Sequence, residues 1–346
     1  MSSKTRINVP DLLSDPFGEH SKVMIRKPLQ LLGGRFQFHS NSRQLLRLVD
    51  LAYAGLPRHR LSHAVPRLRV ALMLSPRGRP RPLRRRSEPS PLEMVSGAGF
   101  LGGATDSSDF VLVSPRERAA LVVVSPKMLS FAYHARYELI EFAVFTLAAR
   151  AQGLVSLHAA CVGSGGRGLL LMGPSGAGKS TVALQCLLQG LDFLSEDSVF
   201  VSPDTMLATG AANFLHVRAD SLRWIANKRD AAAIRNSPVI RRRTGVRKYE
   251  VNLRRARYRL AVSPLKIAGV IFLSPKKAGE GGLLRPLSRA SLLARLTKEQ
   301  AYAAHQPQWR TFSERLGRLD AFELRRGSHP SEAVEVMRAL LEGRSQ

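Results

Sequence analysis

The segment that most constrains the fold of this chain is residues 173–181, which read Gly-Pro-Ser-Gly-Ala-Gly-Lys-Ser-Thr. They match the pattern G-x-x-x-x-G-K-S/T, with an apolar run before them at 168–172 and a helical pattern after them at 182–189. Glycines let the backbone turn tightly, so that several N–H groups face one anion. The first turn of the following helix adds the positive end of its dipole. The segment therefore predicts a strand, a phosphate-binding loop and a helix.

Each position of this loop has an expected task. Lys179 is expected to reach the β- and γ-phosphates of a nucleotide, and the Ser180 hydroxyl to bind Mg²⁺. ATP and Mg²⁺ are the cofactors that follow, and a glycine turn that binds nothing is the alternative. The residues expected to hold the nucleotide are Gly173, Pro174, Ser175, Gly176, Ala177, Gly178, Lys179, Ser180 and Thr181.

The chain is strongly basic. Its 346 residues include 53 Lys and Arg against 26 Asp and Glu, a formal net charge of +27. This excess favours anionic partners such as nucleotides, nucleic acid or acidic peptides, or it is spread over a solvated surface. Nucleic acid is the less favoured partner, because no aromatic RNA-binding motif and no DNA-reading helix accompanies the charge.

The sequence predicts a cytoplasmic protein without a membrane span. Residues 1–6 lead into no apolar segment, so we expect no signal peptide. The most apolar window, 142–162, contains Arg150, Gln152 and Gly153, and reads as a helix followed by a strand. The two cysteines, Cys161 and Cys186, indicate neither a disulfide framework nor a metal site.

The first 135 residues are predicted to form a small α+β domain. After an irregular arm at 1–25, a hairpin is expected at 29–39 around Gly33-Gly34, then a helix to residue 54 capped by Asn41 or Ser42. A loop rich in Arg and Pro covers 75–91. The strands expected here are 68–74, 110–113 and 120–124, and a helix at 137–151 leads into the second half.

Residues 136–346 are predicted to form an α/β domain around the phosphate loop. One strand is expected over 155–162, with His158 inside it. The other expected elements are strands at 191–194, 199–201, 248–253, 266–273 and 321–324 and helices at 288–298 and 331–341.

Two acidic residues, Glu196 and Asp197, directly follow the strand at 191–194. In a strand–helix–strand arrangement both strand ends reach the same edge of the sheet, so this pair is expected beside the phosphate loop. One carboxylate there can bind Mg²⁺ and the other can deprotonate a hydroxyl. A solvated turn is the alternative.

Residues 154–201 resemble the catalytic domain of bacterial HPr kinase/phosphorylase and, more closely, of the HPr-kinase-related serine kinases. The resemblance is carried by Leu157-His158-Ala159-Ala160, the phosphate loop and the acidic pair. It implies a P-loop kinase domain of the HPr kinase (PEP carboxykinase-like) type. It also implies that His158 is catalytic, that Glu196 accepts the serine proton and that Asp197 binds metal with Ser180. A core histidine with a satisfied hydrogen bond is the alternative for His158.

The sequence departs from that family in three places. The first acidic residue is Glu where the family has Asp, and no counterpart of the family's Arg-Gly-x-Gly-Ile signature follows Asp197. The N-terminal part also differs from that of HPr kinase. The resemblance therefore does not fix the acceptor, and HPr itself and a phosphorylase reaction stay open.

A second basic cluster lies at 241–249. Arg247 or Lys248 in it is expected either to stabilise charge on a transferred phosphoryl group or to lie in a solvated loop. Glu250 is a weaker expectation as a further metal ligand.

The sequence thus favours a kinase that transfers the γ-phosphoryl group of ATP to a serine-type hydroxyl of a protein, peptide or small molecule. The alternative is a nucleotide-dependent binding or regulatory protein, with or without ATPase activity, that acts on acidic partners. An ABC-type ATPase is disfavoured, since the chain has no Leu-Ser-Gly-Gly-Gln signature. Homo-oligomerisation is left open.

Overall fold

The computed structural model describes residues 24–75, 88–106, 108–254, 258–280 and 282–343. Within them the chain has a mixed α/β fold whose strands form three sheets. The predicted N-terminal arm lies outside these residues except for 24–25. The Arg/Pro-rich loop lies outside them except for residues 75 and 88–91.

The first sheet has seven strands in the order β1-β2-β3-β7-β6-β5-β4. The pairs β2–β3 and β3–β7 are parallel and the others are antiparallel. The predicted hairpin and the three predicted strands are confirmed, and β4 and β5 were not predicted. The bounds are β1 Ile25–Leu31, β2 Gly34–Ser40, β3 Arg67–Leu74, β4 Glu93–Gly97, β5 Phe100–Ala104, β6 Phe110–Ser114 and β7 Ala119–Val124.

One predicted helix packs against this sheet. Helix α1 covers Arg43–Tyr53, and the hydroxyl of its N-cap residue Ser42 accepts a hydrogen bond from the Leu45 N–H at 3.4 Å. Leu45, Val49 and other apolar side chains on one face of the helix are buried in the same cluster as the inner face of the sheet. The predicted capped helix is confirmed, with Ser42 as the cap.

The core of the N-terminal part extends past residue 135. A short π-helix, Ala135–Ile140, continues into the next α-helix, Glu141–Gln152, which we call α4. Leu139, Val144 and Leu147 from these turns lie in the same hydrophobic cluster as β2 and β3. The domain boundary at 135/136 stays a prediction, and the helix after it packs on the N-terminal sheet.

The second sheet has nine strands and carries the phosphate loop. Its main path is β11-β9-β10-β17-β13-β12-β8, and β19 pairs with both β17 and β18. The bounds are β8 Val155–Leu157, β9 Ala160–Ser164, β10 Arg167–Met172, β11 Asp192–Ser195, β12 Val199–Val201, β13 Leu207–Gly210, β17 Leu265–Lys277, β18 Leu284–Pro286 and β19 Asp320–Arg326.

The strand directions place two strand ends on one edge. Both β10 and β11 run antiparallel to β9, which lies between them, so β10 and β11 point the same way. The segments that follow them, the phosphate loop and Ser195–Ser198, therefore leave the sheet at the same edge. This is the arrangement expected from the sequence.

One strand prediction is wrong. Residues 155–162 do not form a single strand, because the strand is interrupted at His158 and Ala159. Before the break β8 pairs with β12, and after it β9 pairs with β10 and β11. The apolar pattern continues through the break, since both segments are buried, and so gives no sign of it.

The remaining described elements are a third sheet, a 3₁₀-helix and further α-helices. The third sheet has the order β14-β16-β15, and the 3₁₀-helix Ala219–Trp224 follows its first strand. No helix within the described residues is both long and apolar enough to cross a membrane. The bounds are β14 Phe214–Val217, β15 Val239–Arg241, β16 Arg247–Asn252, α2 Pro126–Leu129, α3 Ala132–His134, α5 Lys179–Leu188, α6 Lys228–Arg235, α7 Arg289–Glu299, α8 Ala301–Ala304, α9 Trp309–Leu316 and α10 Glu332–Glu342.

Polar contacts fasten the N-terminal part to the rest of the chain. Buried His59 donates from Nε2 to the Ala261 carbonyl at 2.9 Å, and its Nδ1 accepts from the Thr209 hydroxyl at 2.7 Å. The Arg254 guanidinium donates to the Ala54 and Leu51 carbonyls at 3.1 and 2.7 Å, and so satisfies the C-terminal end of α1.

We expect the substitution His59→Ala to lower the free energy of unfolding by about 2 kcal/mol, because it leaves two buried hydrogen-bonding groups without a partner. Urea unfolding measures the change. His63→Ala is the matched control, since His63 is exposed four residues further on. Equal stability of the two variants would contradict this role of His59.

Candidate phosphate-binding and catalytic cleft

The turn from β10 into the phosphate loop requires glycine. Gly173 has φ +143°, and a Cβ atom there would lie 2.9 Å from the Leu273 carbonyl oxygen on the neighbouring strand β17. Gly178, with φ +103°, is the N-cap of α5, which begins at Lys179. The loop is thus held close to the sheet at its start and ends in a helix N-terminus.

The side chain of Lys179 folds back onto this loop. Its Nζ donates to the Gly173 carbonyl at 2.5 Å and to the Pro174 carbonyl at 3.3 Å, and the residue is buried. Burial lowers the pKa of Lys179, and the nearby carboxylates of Asp197 and Glu299 oppose that shift. The ammonium is therefore held where an anion beside it would be strongly favoured.

One large cleft of about 1630 Å³ runs along this edge of the sheet. Residues 175–182 of the loop and helix line it, together with His158, Glu196 and Asp197. Part of the wall is apolar and comes from the N-terminal part and helix α4. Its apolar side chains include Leu92, Met94, Leu101, Phe142 and Phe145.

The structure brings the acidic pair to this cleft in two different environments. Glu196 is buried, and its Oε2 accepts a hydrogen bond from the backbone N–H of His216 at 2.8 Å. Its Oε1 is buried without a hydrogen-bond partner among the described residues. Asp197 is more exposed, and Arg242 Nη2 lies 3.3 Å from its Oδ2.

Asp197 is held in its ionised form. Burial by itself raises the pKa of Asp197, but His158, Arg242 and His216 outweigh burial and lower the pKa below its usual value. The aspartate therefore carries its negative charge at neutral pH beside the phosphate loop.

His216 is a site residue that the sequence analysis missed. Its Nδ1 lies 3.1 Å from Glu196 Oε2, and its Nε2 lies 3.0 Å from the Tyr137 hydroxyl and 3.7 Å from Glu250 Oε1. Burial lowers the pKa of His216, but the hydrogen bond with Glu196 and the nearby Glu250 carboxylate outweigh burial and raise the pKa above its usual value. No spacing in the sequence links His216, on β14, to the acidic pair, and a lone histidine in an apolar strand gives no signal.

A buried network continues from His216 to the π-helix. Arg136 forms an ion pair with Glu250, and the Tyr137 hydroxyl donates to Glu250 Oε1 at 2.9 Å. Burial raises the pKa of Glu250, but its interactions with His216, Arg136 and Tyr137 outweigh burial and lower the pKa below its usual value. Glu250, which the sequence suggested as a metal ligand, is therefore engaged by Arg136 and Tyr137. Both come from a π-helix, an element frequent at functional sites.

The residues of the cleft fit a divalent cation through their carboxylates. Glu196, Asp197 and His216 each offer a ligand atom within 4.8 Å of the others. The unpartnered Oε1 of Glu196 and the ionised Asp197 are oxygen donors of the kind Mg²⁺ binds. His216 Nδ1 lies 3.1 Å from Glu196 Oε2 and is therefore already engaged by that carboxylate.

His158 lies at the break between β8 and β9 and its side chain is exposed on the cleft. Gln300 holds its backbone, with Oε1 accepting from the His158 N–H at 2.8 Å and Nε2 donating to the His158 carbonyl at 2.9 Å. Gln306 pairs with the backbone of Ser156 in the same way at 3.0 Å. Two glutamine side chains thus take the place of a neighbouring strand along this edge.

The second basic cluster reaches the cleft through one of the two residues expected, Lys248, and also through Arg242 and Arg243. Lys248 lines the cleft, whereas Arg247 is exposed on β16 and does not. Arg242 contacts Asp197, and the next residue, Arg243, pairs with Glu138 and donates to the Ser90 carbonyl at 3.0 Å. The run 241–243 was visible in the sequence, but nothing in it distinguished these contacts from a solvated loop.

Comparisons with known proteins give little further information. No family model and no curated protein matches the sequence. The solved structure of the Hpr(Ser) kinase/phosphatase from Coxiella burnetii is similar over 54% of this chain and 94% of that protein, at 12% identity and a TM-score of 0.25. A TM-score this low supports no argument. The functional assignment therefore depends on the residues of the cleft.

We expect Glu141 to make the stability of the protein depend on pH. Burial raises the pKa of this carboxyl from 4.5 to about 8, and Arg136 offsets only part of that shift. The folded state therefore holds a proton that the unfolded state releases between pH 4.5 and 8, and stability falls as pH rises through this window.

The substitution Glu141→Gln removes this dependence. Urea unfolding at pH 5 and pH 8 should show the variant gaining stability relative to the wild type by on the order of 1.4 kcal/mol per pH unit. Glu117→Gln, at an exposed position, is the control and should parallel the wild type. Parallel profiles for Glu141→Gln would show that Glu141 is ionised in the folded protein.

Proposed function

We propose that this protein is a kinase that transfers the γ-phosphoryl group of ATP to a hydroxyl group of a protein, peptide or small molecule. The observation that supports the proposal is that one cleft contains both the phosphate loop and the Glu196–Asp197 pair. Phosphoryl transfer requires a phosphate cradle, a metal-binding carboxylate and a group that handles the proton of the attacking hydroxyl.

In this proposal the loop residues bind the nucleotide. The backbone of residues 175–178 and the ammonium of Lys179 hold the phosphates, and Ser180 and Asp197 would hold Mg²⁺. When bound, that ion would neutralise charge on the transferred group. The lowered pKa of Asp197 keeps its carboxylate ionised for this task.

Glu196 is proposed to accept the proton of the acceptor hydroxyl. Its two oxygens have different surroundings: Oε2 is fixed by His216, and Oε1 has no partner among the described residues. The proton would move from the hydroxyl to Oε1 while the oxygen bonds to the γ-phosphorus and the bond from phosphorus to the ADP oxygen breaks. The proposed part of His158 is secondary, through its electrostatic effect on Asp197.

The charge of the cleft suits anionic ligands. Nine lysine and arginine side chains line it against five carboxyl groups, and one of those, Glu141, stays protonated below about pH 8. This excess of positive charge favours a nucleoside triphosphate over a neutral ligand. The basic side chains are Arg150, Lys179, Arg218, Arg223, Arg242, Arg243, Lys248, Arg325 and Arg326, and the acidic ones are Glu138, Glu141, Glu196, Asp197 and Asp220.

The same charge supports a second candidate, a nucleotide-dependent binding protein for acidic partners that transfers no phosphate. The observation that favours it is the exposure of several of these arginines, for example Arg223 and Arg326, along the cleft. Both candidates bind ATP, and they differ in whether the γ-phosphate leaves it.

For the kinase, we expect Lys179→Ala to weaken ATP binding at least about tenfold and to abolish labelling, because a charged hydrogen-bond donor to the phosphates is lost. Calorimetry measures binding, and transfer of labelled γ-phosphate to serine peptides and candidate partners measures activity. Lys266→Ala is the control, because Lys266 is exposed and pairs with Arg167 at the end of β10 opposite the phosphate loop. If the wild type binds ATP but labels no acceptor, the non-catalytic candidate replaces the kinase.

For the proposed base, we expect Glu196→Gln to lower the rate of transfer by about 10² to 10⁴-fold while ATP affinity changes little, since a positioned base contributes a factor of that size. The rate is measured on whichever acceptor the wild type labels. Glu117→Gln, at an exposed position on the turn between β6 and β7, should retain full activity. A Glu196→Gln enzyme as fast as the wild type would remove Glu196 from the mechanism.

A further inference from the structure

Two aromatic side chains line the cleft and belong to neither the phosphate loop nor the acidic pair. Trp224 and His329 line the cleft with their ring centroids 5.2 Å apart and their planes at 84°. The Arg223 guanidinium lies over the indole, 4.7 Å from the ring centroid. The proposed transfer chemistry does not use either ring.

The direction in which a bound triphosphate must extend follows from the loop. Lys179 is within electrostatic reach of Asp197 and Lys248, so the γ-phosphate end lies on that side. Thr181 follows Lys179 by two residues in the helix, and its Oγ1 lies 3.2 Å from the Ser221 hydroxyl. Ser221 belongs to the 3₁₀-helix that ends at Trp224, so the cleft continues from Thr181 towards the aromatic pair.

Both rings are held by elements that are fixed relative to the loop. Gln185, on the helix that begins at Lys179, donates from Nε2 to the Trp224 carbonyl at 2.8 Å. His329 Nδ1 accepts from the Ser331 N–H at 3.1 Å, and the Ser331 hydroxyl lies 2.6 Å from the same nitrogen. The neutral ring therefore carries its proton on Nε2, which can donate to a ligand.

We infer that Trp224 and His329 form the binding site for the purine base of the nucleotide, and this inference rests on the proposed function. Trp224 supplies the aromatic ring on which a base stacks, with the area that the Arg223 guanidinium leaves uncovered, and His329 supplies a polar edge beside it. The site takes a nucleotide with an aromatic base in preference to inorganic polyphosphate of the same charge.

The chain contains two tryptophans, Trp224 and Trp309, which makes the site directly measurable. Trp309 packs against Phe312, 5.7 Å between centroids, and is not among the residues that line the cleft. The variant Trp309→Phe leaves Trp224 as the fluorophore, and Trp224→Leu leaves Trp309. Each variant is titrated with ATP and with inorganic tripolyphosphate, by fluorescence and by calorimetry.

We expect ATP to change the fluorescence of Trp309→Phe and to leave that of Trp224→Leu unchanged. By calorimetry Trp224→Leu should bind ATP about tenfold or more weakly, since stacking of one base on an aromatic ring supports a factor of that size. Its affinity for tripolyphosphate should equal that of the wild type, which also shows that the variant is folded with an intact phosphate loop.

Two results would overturn the inference. If Trp224→Leu binds ATP as tightly as the wild type, and Trp309→Phe shows no fluorescence change, the base lies elsewhere and the proposed kinase is unaffected. If Trp224→Leu loses affinity for ATP and tripolyphosphate equally, Trp224 supports the loop and contacts no base. Failure of the wild type to bind either compound would instead remove the proposed function itself.

Discussion

The close approach of two backbones at Gly173 is the constraint on which the cleft depends. Strands β10 and β17 run parallel, and a Cβ atom on Gly173 would lie 2.9 Å from the Leu273 carbonyl oxygen. A glycine therefore lets the chain leave β10 while β17 stays paired along its length. The loop, the start of α5 at Lys179 and the position of Lys179 over the loop carbonyls all follow from that turn. A larger residue would displace the sheet or the loop, and with it the distance from Lys179 to Asp197.

The pairing of buried charged side chains is the second constraint on the cleft, and it involves residues well outside the phosphate loop. Glu196, Glu250 and Arg136 are each less than a tenth exposed, and such groups are tolerated only when they are paired. Several residues share this pairing. Arg136 forms an ion pair with Glu250, and His216 lies between Glu250 and Glu196. Removing one of these residues leaves an uncompensated charge on its neighbour. The network therefore fixes the position of Glu196 through residues outside the phosphate loop. It also ties the π-helix, and through it the N-terminal sheet, to the cleft.

Local signals in the sequence predicted local structure well. The hairpin at Gly33-Gly34, the helix capped by Ser42 and the strand before residue 173 each depend on neighbouring residues, and each was found. The acidic pair was expected beside the loop, and strand direction places it there. His216, Gln300 and Gln306 could not be predicted, because their contacts join residues 20, 142 and 150 positions apart with no characteristic spacing. The break at His158 was missed for a related reason: the amide of Gln300 satisfies the backbone there, and this substitute for a strand has no local pattern.

The charged side chains of the cleft are of two kinds, paired and exposed, and the two kinds suit different roles. At the acidic end Glu196 and Asp197 have fixed partners in His216 and Arg242, so their orientation is set before any ligand binds. Fixed dipoles and charges of this kind stabilise a transition state without reorganising, which suits chemistry. Elsewhere on the wall of the cleft Arg223 and Arg326 are exposed, and their attraction for an anion is screened by water and salt. Exposed charges of that kind attract a ligand but discriminate poorly, so recognition there requires a contact that salt does not weaken. An aromatic surface provides that contact, since stacking depends on apolar area and ring geometry rather than on net charge.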